Sequence, residues 1–248
     1  MSFKNHYPLP SEKPGININE IIIPYGRVLT DSEELFHHQR RLSRDVTLLK
    51  SQYFIIEKEL LATFDYVYPI QNNLKVFSSK FTIIIKNACN LFELICRNIY
   101  NAAYGVSDVN IYNYLSLDSI LHLNNIEVES EILESEFPKN TSNVLNPFNE
   151  LQWDKNSPIS EQMVPQWWIS YNKIKHDMAE FPEYATMENA IRATAAVAYI
   201  IYKIYGAGVV LGKMTWFITV DSEKRYYFVD TEQSTLFHIP DGKAYFTY

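Results

Sequence analysis

Leu42, Val46, Leu49, Tyr53, Ile56, Leu60 and Phe64 recur at steps of three and four, the period of one helix face. Thr30-Asp31-Ser32-Glu33 precedes them with capping-box spacing, so hydroxyl and carboxylate can each satisfy a free backbone amide. The pattern predicts a helix from about residue 30 to Val67, ahead of Pro69. That length implies either a kink or two helices. Ile84, Ala88, Leu91, Phe92, Ile95, Ile99 and Ala102 predict a second helix over about Ser78 to Tyr104. Its polar face carries Lys86, Asn90, Glu93 and Arg97, and Gly105 is its stop. A shorter helix is predicted over about Asp108 to Leu123. Pro165 suits the first position of a further helix, which ends before Pro182. Ala190, Ile191, Thr194, Val197, Ala198 and Ile201 mark a last helix over about Thr186 to Tyr205, whose alanines permit close helix–helix contact.

Other stretches have period two or none. Residues 126–132 alternate apolar and acidic side chains and predict a strand with one wet face. Asn140 to Ser160 reads as loop, with Pro147 and Pro158. After Gly208, residues 215–220, 225–230, 234–239 and 243–248 are aromatic and β-branched runs separated by turn chemistry such as Pro240-Asp241-Gly242. Residues 1–29, with Pro8, Pro10, Pro14 and Pro24, form an arm in which 18–23 is a short strand. The fold class expected is mainly α: an arm (1–29), a helical body (30–208) with an insertion near 126–160, and a small C-terminal antiparallel β meander (209–248).

The chain's 248 residues and 47% hydrophobic content suffice for one domain and an appendage. No apolar run reaches membrane-spanning length, and the N-terminus lacks the apolar core of a signal peptide. Cys89 and Cys96, the only cysteines, lie two helical turns apart, too far to bridge. Reduced thiols in a cytoplasmic protein are expected. The net charge of −7 argues against a broad polyanion-binding surface but leaves room for a local basic cleft. With seven glycines there is no phosphate-cradling loop. Neither a nucleophile elbow nor a His/Cys metal cluster occurs, so no cofactor and no metal are expected.

Candidate chemistry concentrates in Pro165 to Asp177. Trp168, Asn172 and His176 are spaced by four and are expected to share one side of a helix. Histidine can move a proton near neutrality. Asn172 can hold a phosphate or ribose oxygen or fix the imidazole tautomer, and Lys173 and Lys175 add positive charge. The bland alternative is a buried His176 bonded to Asn172 or to a backbone carbonyl. Trp167 and Trp168 can stack bases, but adjacent helical residues point about 100° apart, so at least one is a core anchor. Glu93 and Arg97 have the spacing and order of an intrahelical ion pair. His37 to Arg44 is the densest basic run and reads as a solvated helix face more readily than as an RNA contact.

Tyr171-Asn172-Lys173-Ile174-Lys175-His176, preceded by two tryptophans and followed by an alanine-rich helix, resembles the motif region of the HEPN superfamily (higher eukaryotes and prokaryotes nucleotide-binding domains). The resemblance covers about Leu74 to Gly206 in layout, and only the hexapeptide is motif-like. It implies an antiparallel helical bundle that dimerises. Many members are metal-independent ribonucleases with an Arg and, about four to six residues on, a His. Asn172 matches the polar position after the Arg, His176 the histidine, and Glu93 an acidic side chain facing the motif. Tyr171 stands where the catalytic pattern has Arg. A phenol is neutral and cannot make the bidentate contact of a guanidinium, and losing one such donor costs about a hundred- to a thousand-fold in rate.

The resemblance therefore implies an RNA- or nucleotide-associated binding protein, weakly or non-catalytic, in a stress, toxin–antitoxin or phage-defence setting. Asn172 and His176 form its centre, with Tyr171, Lys173, Lys175, Trp168, Glu93 and Arg97 as binding residues. A homodimer through the Trp-Trp helix and a partner protein or antitoxin go with it, and no membrane. On that reading Tyr171→Arg raises cleavage. The alternatives are a metal-independent ribonuclease using His176 and a dimeric protein-interaction module.

Overall fold

The computed structural model describes residues 32–106, 108–118, 123, 128–130, 144–151, 159–205, 234 and 236–237. The expected arm and nearly all of the expected β meander lie outside these residues.

The described residues are mainly α. Helix α1 (Ser32–Phe64) is a single uninterrupted element, not two. No proline or glycine falls within it. It ends where the Thr63 hydroxyl donates to the Leu60 carbonyl and the Tyr66 and Val67 amides turn back onto the Thr63 carbonyl. Leu49, Tyr53, Ile56 and Leu60 of the stripe are buried, while Ile55 faces outward. Helix α2 (Ser79–Tyr104) buries Ile84, Ala88, Leu91, Phe92, Ile95 and Ile99. Gly105 follows with φ 71°, the left-handed conformation in which glycine closes a helix without strain.

Helix α3 (Ile111–Ser116) starts later than expected and gives way to a turn at Leu117. Asn110 caps it through the Tyr112 amide, and Asn113 returns a bond to the Asn110 amide. The Ser116 hydroxyl then bonds the Asn113 carbonyl as the helix ends. Of the expected strand over 126–132 the described residues are 128–130, and Val128–Glu129 form β1. It pairs antiparallel with β2 (Val144–Leu145), so the stretch read as loop from Asn140 supplies the partner.

Helix α4 (Gln166–His176) starts with Pro165 as its N-cap and stops well before Pro182. Its end is set by Asp177, whose carboxylate accepts the amides of Ala179 and Glu180, an Asx-type turn that competes with the helix. Helix α5 (Met187–Tyr205) follows after a 3₁₀ turn at Pro182–Tyr184.

Helix α5 packs against α1, α2 and α4, and α2 also packs against α1 and α4. Ala190, Ala193, Ala195, Ala196 and Ala198 of α5 are fully buried, which lets neighbouring backbones approach. The start of α5 is tied to the segment before α2. The Met187 and Glu188 amides donate to the Val76 and Leu74 carbonyls at 2.9 and 3.0 Å, satisfying donors that a helix start leaves free. Glu188 adds ion pairs to Lys75 (2.8 Å) and Arg192 (3.1 Å), and Arg192 also donates to the Asn146 carbonyl beside β2. Burial pushes the Glu188 carboxyl up, but the Lys75 hydrogen bond and the Arg192 charge outweigh it and hold the carboxyl below its usual range.

Two residues of the C-terminal segment belong to this same core, and a third, Ser234, bonds to it. Leu236 and Phe237 are buried, and neither they nor Ser234 lie in a strand. The Leu236 amide donates to the buried Glu57 carboxylate at 3.0 Å, and Ser234 bonds the Tyr53 hydroxyl at 3.0 Å. The expectation that the tail stands apart from the helical body therefore does not hold for these residues. Cys89 and Cys96 are free and buried, and burial pushes both thiols well up.

Two measurements check this packing. Phe92→Ala is expected to cost about 3–5 kcal/mol in urea unfolding, as for other buried aromatics, whereas the half-exposed Ile83→Ala stays within about 0.5 kcal/mol. A carboxyl held below its ordinary value stabilises the fold above that value and loses the contribution as pH falls through its folded pKa. Wild type is therefore expected to be more stable than Glu188→Gln at pH 7, with the gap closing as pH falls below about 4.5.

Candidate functional site

Helix α4 is held from inside. Trp167 is fully buried, its indole N–H donating to the Pro147 carbonyl at 2.7 Å. Its ring meets Phe92 of α2 edge-on at 5.2 Å and Phe148 at 5.7 Å. Trp168 is only 4% exposed and packs on Phe92, Tyr114 and Tyr171. Trp168 is therefore a core residue and does not line the pocket described below. A spacing of four advances about 40° around a helix, and two such steps about 80°. The row from Trp168 through Asn172 to His176 thus spirals out of the core instead of sharing one side. The aromatic load of α4 is likewise taken up inside the subunit, so it gives no ground for a dimer through this helix.

Asn172, Lys173, Lys175 and His176 are exposed, and they divide between two sides of α4. Asn172, Lys173 and His176 line a pocket of about 370 Å³ together with Tyr112 of α3, Glu161 and Phe181. His176 is thus not the sealed core histidine of the bland alternative. The Lys173 ammonium lies 5.0 Å from the centre of the Phe181 ring. All three cationic-type side chains of the last helical turn, Lys173, Lys175 and His176, sit where the helix dipole favours positive charge.

Tyr171 and Lys175 lie on the other side. Tyr171 is 1% exposed, and its hydroxyl donates to the Asn90 side-chain oxygen at 2.7 Å. Burial pushes its hydroxyl up, against the pull of Lys175. Lys175 lies 5.0 Å from the centre of the Tyr171 ring, and its hydrogen bond to Tyr171 holds its ammonium above the usual value. Glu93 and Arg97 pair with each other on this side, as their spacing predicts. Glu93 stands on a helix packed against α4 but is not among the residues lining the pocket. Tyr171 and His176, five positions and about 140° apart, do not share a face.

The pocket's remaining walls were not singled out in the sequence. Ile169 stands on α4 itself, one turn before Asn172 and Lys173, whereas Ile111 and Tyr112, Glu161 and Val164, and Phe181 come from three separate segments, so no spacing links them to α4. The one local signal is the Asn110 capping box, which fixes α3 and with it Tyr112.

No helix among the described residues is long and apolar enough to cross a membrane, and no group of three or more His, Cys, Asp or Glu among them is arranged to hold a metal ion. Chemically, the pocket offers two nitrogen cations or donors, an amide, a carboxylate, two aromatic rings and the aliphatic side chains of Ile111, Val164 and Ile169.

Position 171 can be tested directly. Tyr171→Phe removes the bond to Asn90 and is expected to cost about 1 kcal/mol in unfolding free energy with ligand binding unchanged. Tyr171→Arg places a guanidinium in the core beside Lys175 and is expected to lower thermal stability without raising cleavage, the reverse of the sequence expectation. Comparison with known proteins adds no relative: no family model matches the chain, and neither does any curated protein or solved structure.

Proposed function

We propose that this chain is a HEPN-like RNA- or nucleotide-associated binding protein, weakly or non-catalytic, built as an antiparallel helical bundle with a small β element after residue 208. The observation that carries the reading is the convergence of Asn172, Lys173 and His176 on one pocket. An ammonium, an imidazole and an amide supply the donors a phosphate requires. The rings of Tyr112 and Phe181 add surfaces on which a base can stack. The sealed position of Tyr171, on the other side of α4, supports the non-catalytic side: none of the residues lining the pocket beside His176 is an arginine, the cation that the family chemistry uses to stabilise the phosphoryl transition state. Homodimerisation, an antitoxin or other protein partner, and a stress or defence setting belong to the same proposal and rest on the resemblance alone.

Fluorescence anisotropy with labelled single-stranded RNA tests the reading. Wild type is expected to bind, and Lys173→Ala to bind several-fold more weakly with a log–log salt slope shallower by about 0.7, the loss of one phosphate contact on a single strand. In a single-turnover assay with chelator present, cleavage is expected to be slow. Fast cleavage abolished by His176→Ala contradicts the non-catalytic reading, and absence of binding favours the protein-interaction module.

A further inference from the structure

The pocket beside α4 is not a simple anion site. Lys173 and His176 give it positive and donor character, yet Glu161, from the 3₁₀ turn Glu161–Met163, brings a carboxylate to the same lining. Ile111, Val164 and Ile169 complete the lining with aliphatic surface. A carboxylate repels a phosphate, so a ligand that suits the polar part of the lining presents its anion to Lys173 and His176 and its hydrogen-bond donors to Glu161. An ionised carboxylate only accepts, and its two oxygens match a pair of parallel donors. Among the four RNA bases, guanine alone offers two adjacent donors on one edge, the ring N1–H and the exocyclic 2-amine. Adenine and cytosine place an acceptor beside their amine, and uracil flanks its single N–H with carbonyls. Tyr112 is 42% exposed, so its ring has a free surface for a base. The pocket's 370 Å³ lies at the small end of ligand sites, about 300–1,000 Å³, suited to one nucleotide.

We propose that this pocket selects guanine nucleotides. The phosphate lies toward Lys173 and His176, the base stacks on Tyr112, and Glu161 accepts from N1–H and the 2-amine. Glu161 is then the specificity-determining residue. The inference rests on the nucleotide-binding reading above and adds to it the identity of the base.

The test is calorimetric titration of the full chain with 5′-GMP, AMP, CMP, UMP and 2′-deoxy-GMP at one salt concentration, alongside single-stranded RNA. GMP is expected to bind about tenfold or more tightly than the other ribonucleotides, the discrimination of one good bidentate contact. Deoxy-GMP should stay within about twofold of GMP, since the 2′-hydroxyl is not what Glu161 reads on this account. Glu161→Gln, at an exposed position, should abolish the preference while leaving AMP, CMP and UMP unchanged or tighter. Tyr112→Leu should weaken all of them together. Equal affinity for the four bases, or a guanine preference that survives Glu161→Gln, overturns the inference. A large loss with deoxy-GMP also overturns it, by assigning the carboxylate to the ribose. RNA binding without mononucleotide binding, or without base preference, defeats this inference alone; absence of binding to RNA and to every nucleotide defeats the underlying reading with it.

Discussion

The packing of Phe92 against the two tryptophans of α4 is the contact on which the rest depends. Phe92 lies in the buried stripe of α2 and meets Trp167, Trp168, Phe148 and Tyr114 within 6.5 Å between ring centres. One ring thus joins α2, α3, α4 and the segment after β2. The Trp167 N–H completes the arrangement by bonding the Pro147 carbonyl, so burying this ring does not leave its indole donor unsatisfied. With Trp167 and Trp168 fixed inward, the helix period alone decides that Asn172, Lys173 and His176 turn outward.

That constraint sorts the hexapeptide by chemistry. Tyr171 and Ile174 are buried with the tryptophans. Lys175 is drawn to the Tyr171 hydroxyl on one side, next to the Glu93–Arg97 pair. The other side opens into the pocket, where α3 contributes Tyr112 and the turns around α4 contribute Glu161 and Phe181. A short helix therefore separates a structural polar network from a solvent-facing set of donors. Function, on this account, belongs to the second set.

Much of this was legible in the chain. The spacing of Leu49, Tyr53, Ile56 and Leu60 marked the buried face of α1, and the Ile84-to-Ile99 stripe and Gly105 marked α2, because periodicity reports a face directly. The bounds of α3 were not legible, since a local capping box and a competing Ser116 hydroxyl override apolar content. The partner of β1 lay in a proline-bearing stretch with no alternation, because a two-residue ladder leaves no period to read. Trp168 and Tyr171 misled for one reason. Polar-edged aromatics suit a site and a core equally, and only the position of Phe92, about eighty residues earlier, decides between them. Glu161 and Tyr112 were invisible because a pocket wall built from separate segments has no signature in spacing.

The most direct test of the central claim is an NMR titration of the full chain with a short single-stranded RNA, following the side-chain amides of Asn172 and Asn90 and the ring resonances of His176. The account predicts that Asn172 and His176 shift with a common saturation curve while Asn90, bonded to Tyr171 on the opposite side, does not move. Shifts at Asn90 with Asn172 and His176 unperturbed would contradict it.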